Sequence, residues 1–255
     1  MGALHKGHLS LVKASLNACD TTIVTIFVNP IQFNQSSDLT NYPRDINSDI
    51  DMLKEIGVDA VFCPEEKTMY PGGDCSYVEV VNEMSTRLEG ASRPGHFRGV
   101  TTVVAKLFNI TLPDKAFFGL KDAQQALIIS RMVEDLNFPI QIELIETKRE
   151  ADGLAMSSRN ARLNPEERKE ATLLKELLDF ANEKITSGER NAMGIIAGMY
   201  EMLKSVDIIE IDYISIVSLP NCADVDIIEK GRIMVALAIY FGDIRLIDNC
   251  IIEVD

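Results

Sequence analysis

The chain has 255 residues, of which 46% are hydrophobic and 25% charged, and its formal net charge is −14. This length suits one large or two smaller domains with a real core, while the acidic charge argues against nucleic-acid binding. The sequence has no apolar run long enough for a membrane span, and its five scattered cysteines form no CxxC pair. We therefore expect a cytoplasmic protein that binds neither nucleic acid nor membrane.

The first part of the chain alternates helical patterns with short apolar runs. Strands are predicted in 21–29, 58–64, 115–119 and 139–146, and helices around 9–16, 46–56, 100–111 and 121–136. Runs that are apolar on both faces are typical of strands in a parallel sheet, which helices cover on each side. The alternation therefore predicts a parallel α/β sheet.

The pattern changes near residue 162. Asn164 and Pro165 are a typical cap and first residue for a helix over 164–185, and a second helix is predicted at about 191–204. Three strand-like runs follow, and Gly242-Asp243 between the last two indicates a hairpin. We predict two domains: an α/β domain over 1–161 and a small α+β domain over 162–255.

Two of the three histidines, His5 and His8, lie in the segment His5-Lys6-Gly7-His8 at the start of the first helix. A helix N-terminus offers unpaired N–H groups and a partial positive charge, both of which suit a phosphate. Gly7 would let an anion approach the backbone. Two alternatives stay open, namely a pair of surface histidines or a metal site without an obvious third ligand.

Polar residues also follow two predicted strands. Lys121, after Gly119 and before Asp122, begins a helix where an ammonium group could reach a phosphate, or it is simply solvated. Asn29 and Gln32 follow the strand over 21–29 and offer two amides, although an ordinary loop explains them as well. In open α/β sheets, ligands bind beyond the carboxyl ends of strands, which is where these residues lie.

The segment Met156-Ser157-Ser158-Arg159 follows the last strand of the predicted α/β domain. Two hydroxyls, the backbone N–H groups and a guanidinium suit a second anion-binding loop. A polar interdomain linker is the alternative. Taken with the histidine segment, this loop predicts a triphosphate held at both ends.

Six segments in chain order resemble the pantoate–β-alanine ligase family of AMP-forming enzymes: MGALHKGHLSLV, FVNPIQF, YPRD, LEGASRPGHFRGV, FFGLKDAQQ and READGLAMSSRN. The histidine element alone is shared with the wider nucleotidylyltransferase superfamily, whereas NPIQF, GLKDAQQ and MSSRN are specific to the family. The resemblance implies a Rossmann-like N-terminal domain, a smaller C-terminal lid domain and a homodimer. It also implies a further strand before the histidine segment, so we expect that the start is assigned too late or that the chain is a fragment.

The reaction implied by the resemblance has two steps. Pantoate attacks the α-phosphate of Mg-ATP to give pantoyl adenylate, and β-alanine then displaces AMP to give pantothenate. The catalytic residues would be His5, His8, Lys121, Ser157, Ser158 and Arg159. The ATP site would add Met1, Gly2, Gly119, Asp122, Lys148 and Met156. Asn29, Gln32 and Gln125 would bind pantoate and β-alanine, and Asp49 would lie near Mg²⁺.

Two other functions remain open at this point. One is a nucleotidylyltransferase that transfers AMP to a phosphate-bearing substrate, which would not need the amides of NPIQF. The other is an inactive relative that binds nucleotide without turnover.

Overall fold

The computed structural model describes residues 2–33, 39–40, 42, 44–73, 76–204, 206 and 208–255. The chain divides into two compact units. The N-terminal unit contains Met1–Ser85 and Glu89–Lys148, and the C-terminal unit contains Thr86–Leu88 and Arg149–Asp255. None of the helices in these described stretches is long and apolar enough to cross a bilayer.

The N-terminal unit alternates helices with short strands, as the sequence predicts. Its helices are α1 (Lys6–Ala18), α2 (Ile46–Glu55), α3 (Glu66–Met69), α4 (Glu89–Ser92), α5 (His96–Thr111) and α6 (Ala123–Asp135). Its strands are β1 (Ile23–Thr25), β2 (Ala60–Phe62), β3 (Lys115–Gly119) and β4 (Gln141–Ile145), and short 3-10 segments lie at Pro30–Gln32, Glu83–Ser85 and Leu120–Asp122.

These strands form two parallel pairs, β1 with β2 and β3 with β4, over the described part of the unit. The predicted parallel pairing is therefore confirmed, although three of the four strands are shorter than their apolar runs. Helix α1 packs against β3 and β4 and also places Val12 in a buried cluster with Val24, Ile26 and Leu53. Every residue of β3 is only half-buried, so the helices supply most of the core of this unit.

The C-terminal unit is an antiparallel sheet covered by helices. Its helices are α7 (Pro165–Glu170), α8 (Leu173–Thr186) and α9 (Ala192–Leu203), after a 3-10 segment at Ser158–Arg162. Its strands are β5 (Ile209–Ser218), β6 (Ala223–Asp224), β7 (Gly231–Phe241) and β8 (Ile244–Val254), in the order β6-β5-β7-β8. The predicted hairpin joins β7 to β8, and Gly242 has the positive φ of +55° that its turn requires.

Two boundaries differ from the prediction. The single helix expected over 164–185 is two helices, because Ala171 and Thr172 form a tighter turn between α7 and α8. The units divide after Lys148 rather than after residue 161. The reason is that the segment beyond Lys148 is anchored in the C-terminal unit, since Leu154 lies in its hydrophobic core.

Candidate active site

The start of α1 is capped by its two histidines. The ring Nδ1 of His5 accepts a hydrogen bond from the Gly7 backbone N–H at 3.1 Å. The ring Nδ1 of His8 accepts one from the His5 backbone N–H at 3.3 Å, so the two form a reciprocal capping box. The ring centroids are 4.0 Å apart. The sequence therefore places both imidazoles at one helix N-terminus, as predicted.

These hydrogen bonds decide which ring nitrogen carries the proton. Because Nδ1 is the acceptor in each neutral ring, Nε2 carries the hydrogen and is the donor. Burial lowers the pKa of His8 to about 3, followed by the repulsion that a protonated His5 would exert, and Lys121 contributes in the same direction. His8 is therefore a neutral N–H donor at pH 7, and its ring lies within the electrostatic reach of Lys121.

Lys121 lies in the 3-10 segment Leu120–Asp122, directly after the end of β3. The side chain of Lys121 is 21% exposed, and its Nζ is 3.7 Å from Asp122 Oδ1. A Cβ on Gly119 would lie 3.8 Å from Leu11 Cδ2 of α1, so the end of β3 contacts the helix that bears the histidines. The end of β3 therefore lies against α1, and Lys121 just after it acts electrostatically on His8.

Asn29 and Gln32 belong to a buried amide network. Asn29 is 1% exposed, and its Nδ2 donates to Gln32 Oε1 at 3.2 Å and to the Gly99 carbonyl at 3.0 Å. Tyr70 Oη donates to Asn29 Oδ1 at 2.8 Å. The Asn29 side chain is therefore used in orienting Gln32. Sequence reasoning missed Tyr70, because it is far from Asn29 in the chain and belongs to no recognisable motif.

The main chain of Gln32 is held by a second group that the sequence did not assign. His96 Nδ1 lies 2.9 Å from the Gln32 carbonyl, which can only accept, so His96 Nδ1 donates. Arg93 Nη1 lies 3.2 Å from His96 Nε2, and burial followed by the Arg93 charge lowers the pKa of His96 to about 4. A Cβ on Gly99 would lie 2.6 Å from the Ile31 carbonyl, so only glycine allows this close approach.

The other predicted residues of the N-terminal unit are more dispersed. Gln125 is half-buried on α6, next to the buried Gln124, whose amide bonds the Glu89 N–H and the Met84 carbonyl. Lys148 is exposed beyond the end of β4, and Gly2 is buried with Val28 close by. Met1 lies outside the described residues.

Asp49 is buried, and its Oδ1 accepts a hydrogen bond from the Leu4 backbone N–H at 2.7 Å. This bond anchors the segment that leads to His5, which gives Asp49 a structural contact. No group of three or more His, Cys, Asp or Glu side chains suited to a metal occurs in the stretches that the structure describes. Within these stretches, Asp49 is therefore a single carboxylate and not one of a set of three ligands.

The Ser-Ser-Arg loop lies in the C-terminal unit. Ser157 Oγ accepts a hydrogen bond from the Arg159 N–H at 3.2 Å and caps the 3-10 segment Ser158–Arg162. Met156 is buried, whereas Ser157, Ser158 and Arg159 are half-buried. The two hydroxyls and the guanidinium are thus in one short capped loop, as the sequence predicts, and can present donors to an anion.

The family model described as pantoate-beta-alanine ligase matches residues 1–251. The chain belongs to the pantoate–β-alanine ligase family. The pantothenate synthetases of Carboxydothermus hydrogenoformans and Syntrophomonas wolfei are each 51% identical to it, with 100% of this chain and 90% of each relative aligned.

Solved structures give the same result. The pantothenate synthetase of Thermus thermophilus is 41% identical with a TM-score of 0.93, over 98% of this chain and 90% of that one. The Francisella tularensis ligase, solved with a β,γ-ATP ligand and β-alanine, is 36% identical with a TM-score of 0.79, over 98% and 86% of the two chains. Membership of the family confirms the predicted α/β fold with a smaller C-terminal region.

Proposed function

We propose that this chain ligates pantoate to β-alanine through a pantoyl-adenylate intermediate. The observation that carries the proposal is the histidine capping box beside Lys121, in a chain that matches the family almost from end to end. Two neutral imidazole donors, a helix N-terminus and an ammonium group suit a polyphosphate.

In the first step, an oxygen of the pantoate carboxylate forms a bond to the α-phosphorus of ATP. The bond to the bridging oxygen breaks, and pyrophosphate leaves. This is an attack of anion on anion, and one unit-charge pair at 4 Å costs about 4 kcal/mol at an effective dielectric near 20. Lys121, Arg159 and the Nε2–H groups of His5 and His8 offset that repulsion as charge develops on the phosphates. Ser157 and Ser158 add hydroxyl and backbone donors.

The remaining assigned residues position the substrates. Gln32 and Gln125 hold pantoate by hydrogen bonds, which orient the carboxylate without neutralising it as an arginine would. Asn29 acts by fixing the Gln32 amide. The nucleotide contacts proposed from the family resemblance are Met1, Gly2, Gly119, Asp122, Lys148 and Met156.

In the second step, the amine of β-alanine attacks the acyl carbonyl of the adenylate, AMP leaves and the amine loses a proton. Magnesium would arrive with ATP and would offset part of the phosphate charge, and Asp49, whose Oδ1 accepts a hydrogen bond from the Leu4 N–H, would lie near it. We also propose a homodimer located in the cytoplasm, which sedimentation of the purified protein and fractionation of the native cell would test.

The test is ATP–pyrophosphate exchange in the absence of β-alanine. We expect exchange that requires pantoate, followed by release of AMP and pantothenate once β-alanine is added. A nucleotidylyltransferase would release no AMP on addition of the amine, and an inactive relative would bind nucleotide without exchange. Either of these results would overturn the proposal.

A further inference from the structure

A short turn leads from the N-terminal unit to the Ser-Ser-Arg loop. Arg149 and Ala155 form an antiparallel bridge, and within it the Glu150 N–H donates to the Leu154 carbonyl at 2.8 Å. The Gly153 N–H closes the turn on the Glu150 carbonyl at 3.1 Å. Because Ala155 immediately precedes Met156, this turn sets where the loop begins.

One ion pair joins the turn to the central sheet of the C-terminal unit. Arg149 Nη1 donates to Asp248 Oδ2 at 2.6 Å, and Arg149 Nη2 donates to Asp248 Oδ1 at 3.0 Å. Arg149 Nη1 also donates to the Gly153 carbonyl at 3.0 Å. The Asp248 side chain is 0% exposed and that of Arg149 is 21% exposed. A planar fork of this kind fixes direction as well as distance, which a single ammonium contact does not.

The turn is connected to the loop by hydrogen bonds of its own. Asn160 Nδ2 donates to the Ala155 carbonyl at 3.0 Å, and the Asn160 N–H donates to the Ser157 carbonyl at 3.1 Å. The 3-10 segment Ser158–Arg162 packs against β8, the strand that bears Asp248. A displacement of Arg149 would therefore be passed to Ser157 and Arg159 through Ala155 and Asn160.

We propose that the Arg149–Asp248 pair is a positioning device that holds the Ser-Ser-Arg loop in the geometry needed to bind ATP. Neither residue touches the reacting atoms in this proposal. Arg149 acts on the turn, the turn acts on the loop, and the loop presents its donors to the nucleotide. The inference rests on the proposed function of that loop as part of the ATP site.

The test combines two measurements on Arg149→Lys and Asp248→Asn. Both variants keep the size of the side chain approximately, and the lysine keeps the charge, but each removes the two-fold contact. We expect the backbone amides of residues 155–162 to exchange hydrogen for deuterium about 10-fold faster than in the wild type, because the loop opens locally more often. We also expect the KM for ATP to rise about 10-fold while the KM for β-alanine is unchanged.

The matched control is Arg245→Lys. Arg245 lies on β8 and also contacts an aspartate, with Arg245 Nη2 at 2.6 Å from Asp212 Oδ2, and it belongs neither to the turn nor to the loop. Its variant is expected to match the wild type in both measurements. A general loss of stability would raise exchange throughout the unit, so the comparison is made between residues 155–162 and β7.

Unchanged exchange in residues 155–162, or faster exchange with an unchanged KM for ATP, would overturn the inference. Failure of the proposed function would instead be visible in the wild type, as absence of pantoate-dependent exchange. Hydrogen exchange needs no substrate, so it still decides whether the pair positions the loop in that case.

Discussion

The strands of the two units are buried to very different degrees. In β7 the residues from Ile233 to Ile239 are all buried, and β5 and β8 flank that strand in long antiparallel ladders. In the N-terminal unit β3 is half-buried along its whole length, and the described strands pair only two by two. For buried polar contacts the N-terminal unit is the richer one, since the amide and histidine contacts around Gln32 all lie there.

The two units therefore depend on different interactions for their stability. The C-terminal unit is held by apolar packing of a sheet against α8 and α9, which depends on side-chain volume. The N-terminal unit relies more on buried hydrogen bonds. Each of these adds little to the unfolding free energy when intact, but removal of one partner leaves a buried polar group unsatisfied, which costs more. Substitutions in the two units should therefore fail in different ways.

The largest effect is expected from Phe241→Ala. Phe241 is 0% exposed in the C-terminal core, and removal of a buried phenylalanine costs about 3–5 kcal/mol of unfolding free energy. The matched change Phe117→Ala in the half-buried strand β3 should cost about 1–2 kcal/mol, because less surface returns to water. Urea unfolding of both variants measures these losses of unfolding free energy. Equal losses would contradict the proposed difference between the two units.

The next effect is on catalysis. Lys121→Ala should lower pantoate-dependent pyrophosphate exchange by about 10²–10³, the usual loss for one preorganised donor, and His8→Ala should do the same. Lys115→Ala removes a lysine at the opposite end of β3, where it pairs with Glu143 at 3.1 Å, and should keep nearly normal exchange. Near-normal rates in Lys121→Ala would refute the assigned role of that ammonium group.

Between pH 7 and pH 5, acid should destabilise mainly the N-terminal unit, because all three histidines lie there. The folded-state pKa values of His8 and His96 are lowered to about 3 and about 4 by burial, so the unfolded chain binds protons first. Their contribution is complete above an unfolded pKa of about 6.5 and is lost as pH falls, by about 2 kcal/mol per histidine at pH 5.

Urea unfolding at pH 7 and pH 5 measures this dependence. His96→Asn keeps a donor near the position of Nδ1 but does not titrate, so it should show a smaller loss on acidification than the wild type. An identical pH dependence in the two proteins would contradict the assignment to His96.

The smallest effect is expected at the second capping box. Asn164 Oδ1 accepts from the Glu166 and Glu167 N–H groups at 2.9 Å each, and Glu167 Oε2 accepts from the Asn164 N–H at 2.9 Å. Asn164→Ala should cost about 1 kcal/mol of unfolding free energy with unchanged exchange activity. Unlike the His5–His8 cap, the Asn164 cap has no proposed role in catalysis. A loss of exchange activity in Asn164→Ala would contradict this distinction.

Much of the fold could be predicted because local sequence patterns indicate it. The bounds of β3 follow directly from KAFFG, and the β7–β8 hairpin follows from Gly242-Asp243 between two apolar runs. The break between α7 and α8 at Ala171 could not be predicted, since the helical periodicity of the sequence continues across it. The division of the compact units after Lys148 leaves no local signal in the sequence, because it depends on the anchoring of Leu154 in the core of the C-terminal unit.

The candidate site shows the same division. Sequence motifs placed His5 and His8, Lys121 and the Ser-Ser-Arg loop at element ends, and their placement there is what the structure shows within each unit. The motifs did not indicate that Asp49 bonds the main chain of Leu4 or that Tyr70 and His96 hold Asn29 and Gln32. Those partners are many residues apart.

The sequence by itself determined the main elements and the candidate site residues, because hydrophobic period, caps and motifs are properties of neighbouring residues. Only the tertiary structure decided how those residues are held: that Tyr70 fixes the Asn29 amide, that the Gln32 carbonyl accepts from His96 Nδ1, and that Asp248 on β8 receives Arg149. The physical reason is that a hydrogen bond needs its two atoms within about 3 Å in a fixed direction. Such a distance between remote residues is set by the packing of the whole unit.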